Sequence, residues 1–263
     1  MTWNVKMIRK LKSMNNSILI EGLPGLGNVG KIAVDFMIDD LKAEKVYELS
    51  SRKFPHCVFV NEKNLVELPA IAVYHKKVKN KNLFLVAGDT QPLDEVSCYD
   101  FCYNLLDLCQ KNKCNEIITI GGLGVNKVEN PKVYCTGNNT KILDKYKKET
   151  TKMNNMIGPI VGVSGLLVGL ANEKKIDAVN LMAETTATEM GVSGAKEVLH
   201  ILDKKLNLGL NFKRLNKEFK EIESAFVKKM EKIYDEDGDE AGEIDPEDIV
   251  PDEPDKGDTS YIG

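Results

Sequence analysis

Arginine is scarce in this sequence and accounts for only three of its 36 basic residues. The guanidinium group is the side chain that best reads phosphates and base edges through paired hydrogen bonds, so its scarcity argues against a nucleic-acid-binding protein. No apolar run approaches the roughly 18 residues that a membrane-spanning helix needs. The first 16 residues also lack the apolar segment of a secretory signal. We therefore expect a cytoplasmic protein that binds neither nucleic acid nor a membrane.

Paired metal-binding cysteines are missing as well. The six cysteines form no CxxC pair, which argues against a zinc ribbon. Cys98, Cys102 and Cys109 recur instead at helical spacing among apolar residues, a pattern typical of a buried helix face in a reducing compartment. The three histidines are scattered and form no triad-like pattern with a serine or cysteine. The sequence therefore predicts no metal site, no cofactor and no catalytic residues, and so a protein that is not an enzyme.

One serine motif comes near a hydrolase pattern. Ser164 lies in GVSG at 162–165, whereas a nucleophile elbow, GxSxG, has its second glycine two residues after the serine. Glu184 and Glu189 lie just after a predicted strand, where they could line a cleft or cap the next helix. None of these residues completes a set of acid, base and nucleophile.

Apolar runs that are typical of buried strands alternate along the chain with segments of helical periodicity. The strand-like runs lie at 17–21, 46–49, 83–87, 116–120, 133–135 and 178–182. The helical segments lie at 31–41, 94–113, 138–148, 164–175 and 193–206. Such alternation predicts a sheet covered by helices on both faces. We expect an α/β protein with a three-layer α/β/α domain over residues 1–208 and a mostly parallel, mixed sheet.

Two further β-rich runs interrupt this alternation. They are CVFV at 57–60 and AIAVYH at 70–75, and NEKN at 61–64 lies between them. The pattern predicts an antiparallel hairpin with a four-residue turn, and hence an antiparallel or mixed addition to the sheet.

A separate amphipathic helix is predicted over residues 209–234. Its apolar residues follow three- and four-residue spacings: Phe212, Leu215, Phe219, Ile222 and Phe226. The helix could pack on the α/β domain or on another subunit. The 3.5-residue repeat is also compatible with a short coiled coil.

The chain ends in a strongly acidic segment. Residues 235–263 contain thirteen acidic residues and one lysine, which leaves residues 1–234 with 35 basic and 27 acidic residues and a net charge of +8. So few apolar groups cannot offset the entropy of ordering, and we predict a disordered tail over 235–263. An apolar pair, Tyr261 and Ile262, precedes Gly263. These three residues are interpreted as an anchor peptide that binds elsewhere, and an inert tail is the alternative.

A glycine-rich loop follows the first apolar run. GLPGLGNVG at 22–30 contains a formal GxGxxG, and Glu48 closes the next strand at a suitable distance for a ribose-binding carboxylate. The loop also approaches a P-loop at Lys31, but Ile32 stands where a serine or threonine should bind Mg²⁺. Glycines at such a turn can equally serve close packing. Both a ligand-binding and a structural role remain open for the loop glycines Gly22, Gly25, Gly27 and Gly30.

Several segments together resemble a known family. They are EGLPGLGNVGKIAVDFM at 21–37, GDTQP at 88–92, ITIGGLG at 118–124, IVGVSGLLVGLANEKKID at 160–177 and LMAETTATEMGVSGAKEVL at 181–199. Over roughly residues 15–205, in this order, the chain resembles the archaeal branch of the proteasome assembly chaperone 2 (PAC2) family. The resemblance implies an α/β/α fold similar to that of nucleoside phosphorylases, a phosphorylase- or hydrolase-like architecture without the catalytic groups. It also implies homo-oligomers.

The resemblance further implies a role in assembling or regulating the 20S proteasome. Archaeal relatives can carry a C-terminal tripeptide, hydrophobic–Tyr–any, that enters pockets between the α subunits of the proteasome ring. In this chain Tyr261 stands third from the end instead of second. The sequence therefore predicts a non-enzymatic chaperone or regulator that binds the α subunits of the 20S proteasome. The alternative is a nucleotide- or nucleoside-binding enzyme that uses the loop at 22–30.

Overall fold

The computed structural model describes residues 3–11, 14–61, 63–152, 158–186, 190–222 and 224. The predicted acidic tail, including Tyr261, Ile262 and Gly263, lies outside the described residues, and so does Glu189. The chain divides into two compact units, and the second begins at Phe212. In this second unit, residues 212–222 are helical, and the rest of the helix predicted to residue 234 is not described.

The first unit is built from strands and helices that follow one another closely. The strands are β1 (Trp3–Met7), β2 (Ser17–Glu21), β3 (Glu44–Ser51), β4 (Phe59–Val60), β5 (Val66–Glu67), β6 (Ile71–Val78), β7 (Lys81–Gly88), β8 (Cys114–Gly124), β9 (Val133–Gly137) and β10 (Asp177–Thr185). The helices are α1 (Val29–Asp40), α2 (Glu95–Lys111), α3 (Thr140–Tyr146), α4 (Val163–Leu170) and α5 (Val192–Leu206). Short 3₁₀ turns precede α1 at Leu26–Asn28 and follow α4 at Ala171–Lys174.

Eight strands form one mixed sheet in the order β1-β3-β6-β7-β2-β8-β10-β9. The central strands β7, β2, β8 and β10 run parallel. The flanking strands pair antiparallel on both sides of them. The predicted α/β fold with a mixed sheet is thereby confirmed, and its parallel part is the central four strands. Parallel strands are covered on both faces, which explains why all five residues of β2 are buried.

Helices cover both faces of this sheet. Helices α1 and α5 pack against each other on one face, and α2 and α4 pack against each other on the other. The core between α2, α4 and the sheet includes Leu19, Phe101, Leu105, Ile117 and Leu167, all at most 2% exposed. Complete burial of each such side chain contributes on the order of 2 kcal/mol.

Helix α2 shows how local sequence signals place an element. Its N-cap, Asp94, accepts a hydrogen bond from the backbone N–H of Ser97 at 3.0 Å, which satisfies one of the free amides at the helix start. The predicted cysteine face is confirmed, since Cys98, Cys102 and Cys109 are buried. All six cysteines of the chain are free thiols.

The predicted hairpin at 57–75 is only partly correct. The turn does close at Asn61, whose backbone N–H donates to the carbonyl of Leu65 at 2.9 Å. Its second strand is β5, however, and the pair β4–β5 forms a two-stranded sheet of its own. All of the run at 70–75 except Ala70 lies instead in β6, which pairs with β3 and β7 in the main sheet. Its residues Ile71, Ala72 and Val73 are buried there.

The edge strand β1 was not expected from the sequence, because Asn4 and Lys6 interrupt its apolar residues and leave no continuous apolar run. It is held by Trp3, whose indole N–H donates to the carbonyl of Ser97 at 2.9 Å. The indole ring also packs on the rings of Phe54 and Phe101. Across the described ranges, no helix is long and apolar enough to cross a membrane.

Candidate functional site

The glycine-rich loop lies at the carboxyl ends of the parallel strands, between β2 and α1. In sheets of this kind, ligands bind beyond those strand ends. The loop turns sharply, because Gly27 and Asn28 have the left-handed φ values of 59° and 54°. The carbonyl of Gly27 accepts a hydrogen bond of 2.7 Å from the backbone N–H of Gly191. The loop is therefore fixed against the start of α5.

Three of the four candidate glycines are in close contact with neighbouring atoms. A Cβ atom at Gly22 would lie 2.2 Å from the carbonyl oxygen of Gly30, and one at Gly30 would lie 2.4 Å from that of Ile120. At Gly27 it would lie 2.3 Å from the hydroxyl oxygen of Thr185. These glycines let α1 approach β8 and β10 closely. A Cβ at Gly25, in contrast, would meet no atom of the described residues within 4 Å.

The dinucleotide interpretation of this loop is not supported by the sheet order. In a dinucleotide-binding fold, the strand after the first helix lies beside the strand before it. Here β3 is separated from β2 by both β6 and β7. Glu48 lies on β3 and forms an ion pair with Lys45, so the interpretation of Glu48 as a ribose-binding carboxylate is wrong.

The lysine of the near P-loop is engaged elsewhere. The ammonium group of Lys31 lies 2.9 Å from the carboxylate of Asp35 on the same helix. It also donates to the carbonyl of Gly88 at 3.2 Å. Ile32 is buried. Lys31 therefore binds its own helix and the end of β7 instead of pointing to a phosphate position over the loop.

A chain of buried polar side chains lies beneath the loop, on the sheet face that α4 covers. The hydroxyl of Ser164 on α4 donates to the carboxyl of Glu21 at 3.0 Å. The hydroxyl of Thr119 donates to the backbone carbonyl of Ser164 at 2.9 Å, and the amide nitrogen of Asn180 donates to Thr119 at 2.8 Å. Glu21, Thr119 and Asn180 are each fully buried. Three adjacent strands, β2, β8 and β10, thus contribute one side chain each.

The carboxyl of Glu21 titrates near neutral pH. Burial raises the pKa of Glu21 to about 7, even though the backbone N–H of Leu23 and the hydroxyl of Ser164 favour the ionised form. A Ser–carboxyl pair resembles part of a hydrolase site, but it needs an imidazole between the two groups. The hydrogen bonds of the described residues join Ser164 to Glu21 directly. The pair therefore differs from a Ser–His–Asp triad.

A small cavity opens above this polar chain. It has a volume of about 30 Å³, and its walls include Gly25, Gly121, Ser164 and Asn180. The side-chain oxygen of Asn180 is buried and has no hydrogen-bond partner among the described residues. Within the described ranges, no atom lies within 4 Å of where a Cβ at Gly121 would be. The cavity is thus a small gap in the packing beside Gly121.

A larger groove adjoins this cavity between α2 and α4. It has a volume of about 650 Å³, and its walls include Leu93, Tyr99, Leu166 and Leu170. Gln91, Ile160 and Val161 line both spaces. The cavity and the groove are therefore neighbours that share part of their walls.

The structure also places the other residues considered from the sequence. Glu184 accepts hydrogen bonds from the hydroxyl of Tyr134 at 2.7 Å and from the backbone N–H of Lys132 at 3.0 Å. It therefore fixes the start of β9 and does not line the cavity. Within the described ranges, no group of three or more metal-ligating side chains is close enough to hold a metal ion.

The buried polar chain was missed at the sequence level, although a signal was present. Glu21, Thr119 and Asn180 are polar residues inside otherwise apolar strand runs: SILIE, EIITI and AVNLM. A buried polar side chain must find a partner, so a polar residue in a fully buried strand indicates either a network or a site.

Comparison with known proteins agrees with this fold. Residues 19–230 match the model of the PAC2 family. An uncharacterized protein of Methanocaldococcus jannaschii is 31% identical over 232 residues, which cover 88% of this chain and 89% of that protein.

Two solved structures from Pyrococcus furiosus are also similar. PbaB, an archaeal proteasome activator, has a TM-score of 0.80 and 29% identity, and the match covers 88% of this chain and 99% of PbaB. PbaA, an archaeal homolog of proteasome-assembly chaperone, shares the fold with a TM-score of 0.71 at 23% identity, over 88% of this chain and 93% of PbaA. The resemblance noted in the sequence is thereby confirmed, and the chain belongs to the PAC2 family.

Proposed function

We propose that this protein is a non-enzymatic chaperone or regulator that binds the 20S proteasome in the cytoplasm. The observation that carries the proposal is the similarity to PbaB, an archaeal proteasome activator, at 29% identity and a TM-score of 0.80 over 88% of this chain. Membership of the PAC2 family over residues 19–230 supports it. The hydrogen bonds of Ser164, which join it to a carboxyl without an imidazole, agree with a role other than catalysis.

The C-terminal peptide is proposed to bind between α subunits of the 20S ring. Tyr261 and Ile262 supply apolar anchors after a segment with a net charge of −12, and residues 1–234 carry +8. Binding of the first unit would raise the local concentration of the peptide at the ring, and several peptides on an oligomer would add avidity.

Removal of Ser260–Gly263 is expected to weaken binding to purified 20S particles by about tenfold or more, because the anchor contributes through avidity. Binding is measured by surface plasmon resonance with immobilised 20S particles. Deletion of Gly263 alone places Tyr261 second from the end and is expected to preserve or tighten binding. Thr259→Ala serves as the control next to the anchor. Equal affinity of the full-length and the four-residue-truncated chains would contradict the proposed role of the peptide.

The β4–β5 hairpin is proposed as the surface that joins copies of this chain. Six apolar side chains on it are exposed by 44–77%: Val58, Phe59, Val60, Leu65, Val66 and Leu68. Exposed apolar side chains that are grouped in this way often mark an interaction surface. Val60 and Val66 are directly opposite each other on the two strands, so their side chains lie on the same face.

The double variant Val60→Lys, Val66→Lys is expected to convert the oligomer to monomer, because two ammonium groups cannot be buried without partners. Size-exclusion chromatography with light scattering gives the mass. Lys63→Glu, a charge change in the same turn, is the matched control and should leave the mass unchanged. A monomeric wild-type chain, or a double variant that keeps its oligomeric mass, would rule out this surface.

The alternative, a nucleotide- or nucleoside-binding enzyme that uses residues 22–30, has less support. A phosphate at the start of α1 would need free amides there, but Val29 and Gly30 are buried. Lys31 forms an ion pair with Asp35. The crowding around Gly22 and Gly30 further indicates that these glycines serve packing.

A further inference from the structure

Lysines line the edge of the sheet where the parallel strands begin, at the opposite end from the glycine-rich loop. Lys81 is the first residue of β7, Lys113 immediately precedes β8, and Lys175 lies two residues before β10. The central strands run parallel, so their first residues share one edge. We call this surface the lysine face and define it by six residues: Lys42, Lys79, Lys113, Lys141, Lys174 and Lys175.

Four lysines of this face have a backbone conformation that lysine rarely adopts. Lys42, Lys79, Lys113 and Lys175 have left-handed φ values of 52° to 54°. Glycine and asparagine are the usual residues in this conformation, because a larger side chain is disfavoured there. Either residue could make each of these turns at a lower cost. What lysine adds at these turns is a positive charge.

A groove of about 500 Å³ lies in the lysine face, at the starts of β8 and β10. Its walls include four lysines and one acidic residue: Lys113, Lys141, Lys174, Lys175 and Asp177. Two of these lysines are paired, since Lys141 lies 2.8 Å from Asp177 and Lys174 lies 3.2 Å from Asp107. The groove therefore has more positive than negative charge.

Lys113 and Lys175 provide the unpaired charge. Among the described residues, neither forms an ion pair. The ammonium group of Lys113 donates to the side-chain oxygen of Asn15 at 3.5 Å, and Lys175 is exposed. Both lysines line the same groove. A carboxylate placed there would meet two cations without breaking an existing ion pair.

The chain leaves the first unit at this same face. The backbone N–H of Asn211, where the first unit ends, donates to the carboxylate of Asp40 at 3.0 Å. Asp40 ends α1, two residues before Lys42. The ammonium group of Lys81 donates to the carbonyl of Leu206 at 3.0 Å. The acidic segment 235–258 begins 24 residues after Asn211, so it is tethered near the lysine face.

The charge and length of this segment match the face. Residues 235–258 contain thirteen acidic residues and one lysine. The face extends over five strand intervals from β3 to β10, which is about 24 Å at about 4.8 Å per interval. An extended segment of 24 residues reaches up to about 80 Å. Ammonium groups lack the paired donors of arginine, which suits a flexible acidic peptide better than a nucleic acid.

We propose that residues 235–258 bind the lysine face of their own chain, with carboxylates in the groove beside Lys113 and Lys175. Each exposed ion pair contributes little, but several act together, and the tether gives a high local concentration of the segment. Salt weakens such a contact, because it screens exposed charges. The contact involves neither the β4–β5 hairpin nor the 20S particle, so its test is independent of the proposed function.

The test compares the full-length protein, labelled with ¹⁵N, with a synthetic peptide of residues 235–258 as the reference for the unbound segment. The amide NMR signals of Gly238, Gly242 and Gly257 are the reporters. At about 0.01 M salt, where charges act over about 30 Å, these signals should differ from those of the peptide. At about 1 M salt, where the range falls to about 3 Å, they should coincide. Identical signals at low salt would overturn the proposal.

Dilution of the full-length protein identifies the copy that supplies the segment. Binding within one chain does not depend on concentration, so the signals at low salt should stay the same over a hundredfold dilution, by about that factor. Signals that move to those of the peptide on dilution would assign the contact to a second copy and overturn binding to the same chain.

Charge reversal in the groove tests the location. Lys113→Glu, Lys175→Glu is expected to lower the ratio of bound to unbound segment by about tenfold at low salt. Lys127→Glu, Lys132→Glu is the matched control, because both residues lie between β8 and β9 at the opposite end of the sheet. The signals of the first unit establish that both variants fold. No loss in the groove variant, or equal loss in both variants, would overturn the proposal.

Discussion

Replacing Gly30 by alanine is expected to lower the free energy of unfolding by about 3 kcal/mol, the upper part of the range for forced overpacking. Gly30 is the second residue of α1, and its added Cβ would lie 2.4 Å from the carbonyl oxygen of Ile120 and 3.1 Å from the Cα of Gly22. Both neighbours are backbone atoms, so no side chain can rotate away. Helix α1 would have to move off β8, with loss of the packing around it. Denaturant unfolding of the variant and the wild type measures the change.

The matched control is Gly25→Ala in the same loop. Its Cβ would meet nothing within 4 Å in the part of the chain that the structure describes, and the φ of −159° is extended backbone that any residue adopts. The expected change is within about 0.5 kcal/mol, because alanine also reduces the entropy of the unfolded chain. If the two substitutions cost the same, the close approach of α1 to β8 cannot be what these glycines provide.

The free energy of unfolding is expected to depend strongly on pH because of Glu21. Burial raises the pKa of Glu21 to about 7 from the ordinary value of 4.5. The folded protein therefore keeps a proton that the unfolded chain has already released between these two values. The resulting stability is fully present below about pH 4.5 and is lost as the pH rises through about 7. The expected loss from this carboxyl is about 3 kcal/mol.

Glu21→Gln should remove this part of the pH dependence. The glutamine oxygen can accept from Leu23 as the carboxyl does, at a distance of 3.0 Å in the wild type. Its amide nitrogen can donate to the hydroxyl of Ser164, which can then donate to the carbonyl of Ile120, 3.5 Å away. The variant is therefore expected to match the wild type at about pH 5 and to exceed its stability at about pH 8. Denaturant unfolding at a series of pH values provides the measurement.

A second glutamate on the neighbouring strand serves as the control. Glu116 on β8 is also mostly buried, but it accepts from the hydroxyl of Tyr146 at 2.6 Å and forms an ion pair with Lys145. Glu116→Gln removes the charge partner of Lys145 and is expected to destabilise the protein at about pH 8 by about 1 kcal/mol or more. The two substitutions should thus have opposite signs. Destabilisation at high pH by both would show that Glu21 is stabilised by partners in its ionised form.

Local pattern was sufficient to predict the centre of the sheet. The runs at 17–21, 83–87, 116–120 and 178–182 lie in β2, β7, β8 and β10, because parallel strands buried on both faces need continuous apolar sequence. The positions of the strands towards the edges of the sheet depend instead on contacts with residues that are distant in sequence. Strand β1 alternates apolar and polar residues and is fixed by Trp3 against α2. The run at 70–75 could not be assigned to β6 without knowledge of its neighbours.

In the candidate site too, some features follow from local sequence and others depend on contacts between distant residues. The loop at 22–30 was recognised from its glycines, since glycine spacing is a local signal. The atoms that those glycines contact could not be predicted. Ile120 and Thr185 are far from the loop in sequence, and they lie beside it only because of the order of the strands in the sheet. The polar chain of Glu21, Thr119 and Asn180 likewise joins three strands that are far apart in sequence. Such a network becomes visible only when β2, β8 and β10 are known to be neighbours.

The β4–β5 hairpin can change in sequence and length without a change in the main sheet. Its two strands pair only with each other, while the eight-stranded sheet is complete without them. Insertions, deletions or exchanges between Phe59 and Glu67 would therefore leave the register of every strand in the main sheet untouched. A lineage could change this projection, and with it the way in which copies of the chain join, without rebuilding the core that carries it, and laboratory grafts of foreign loops should leave the fold intact at the same place.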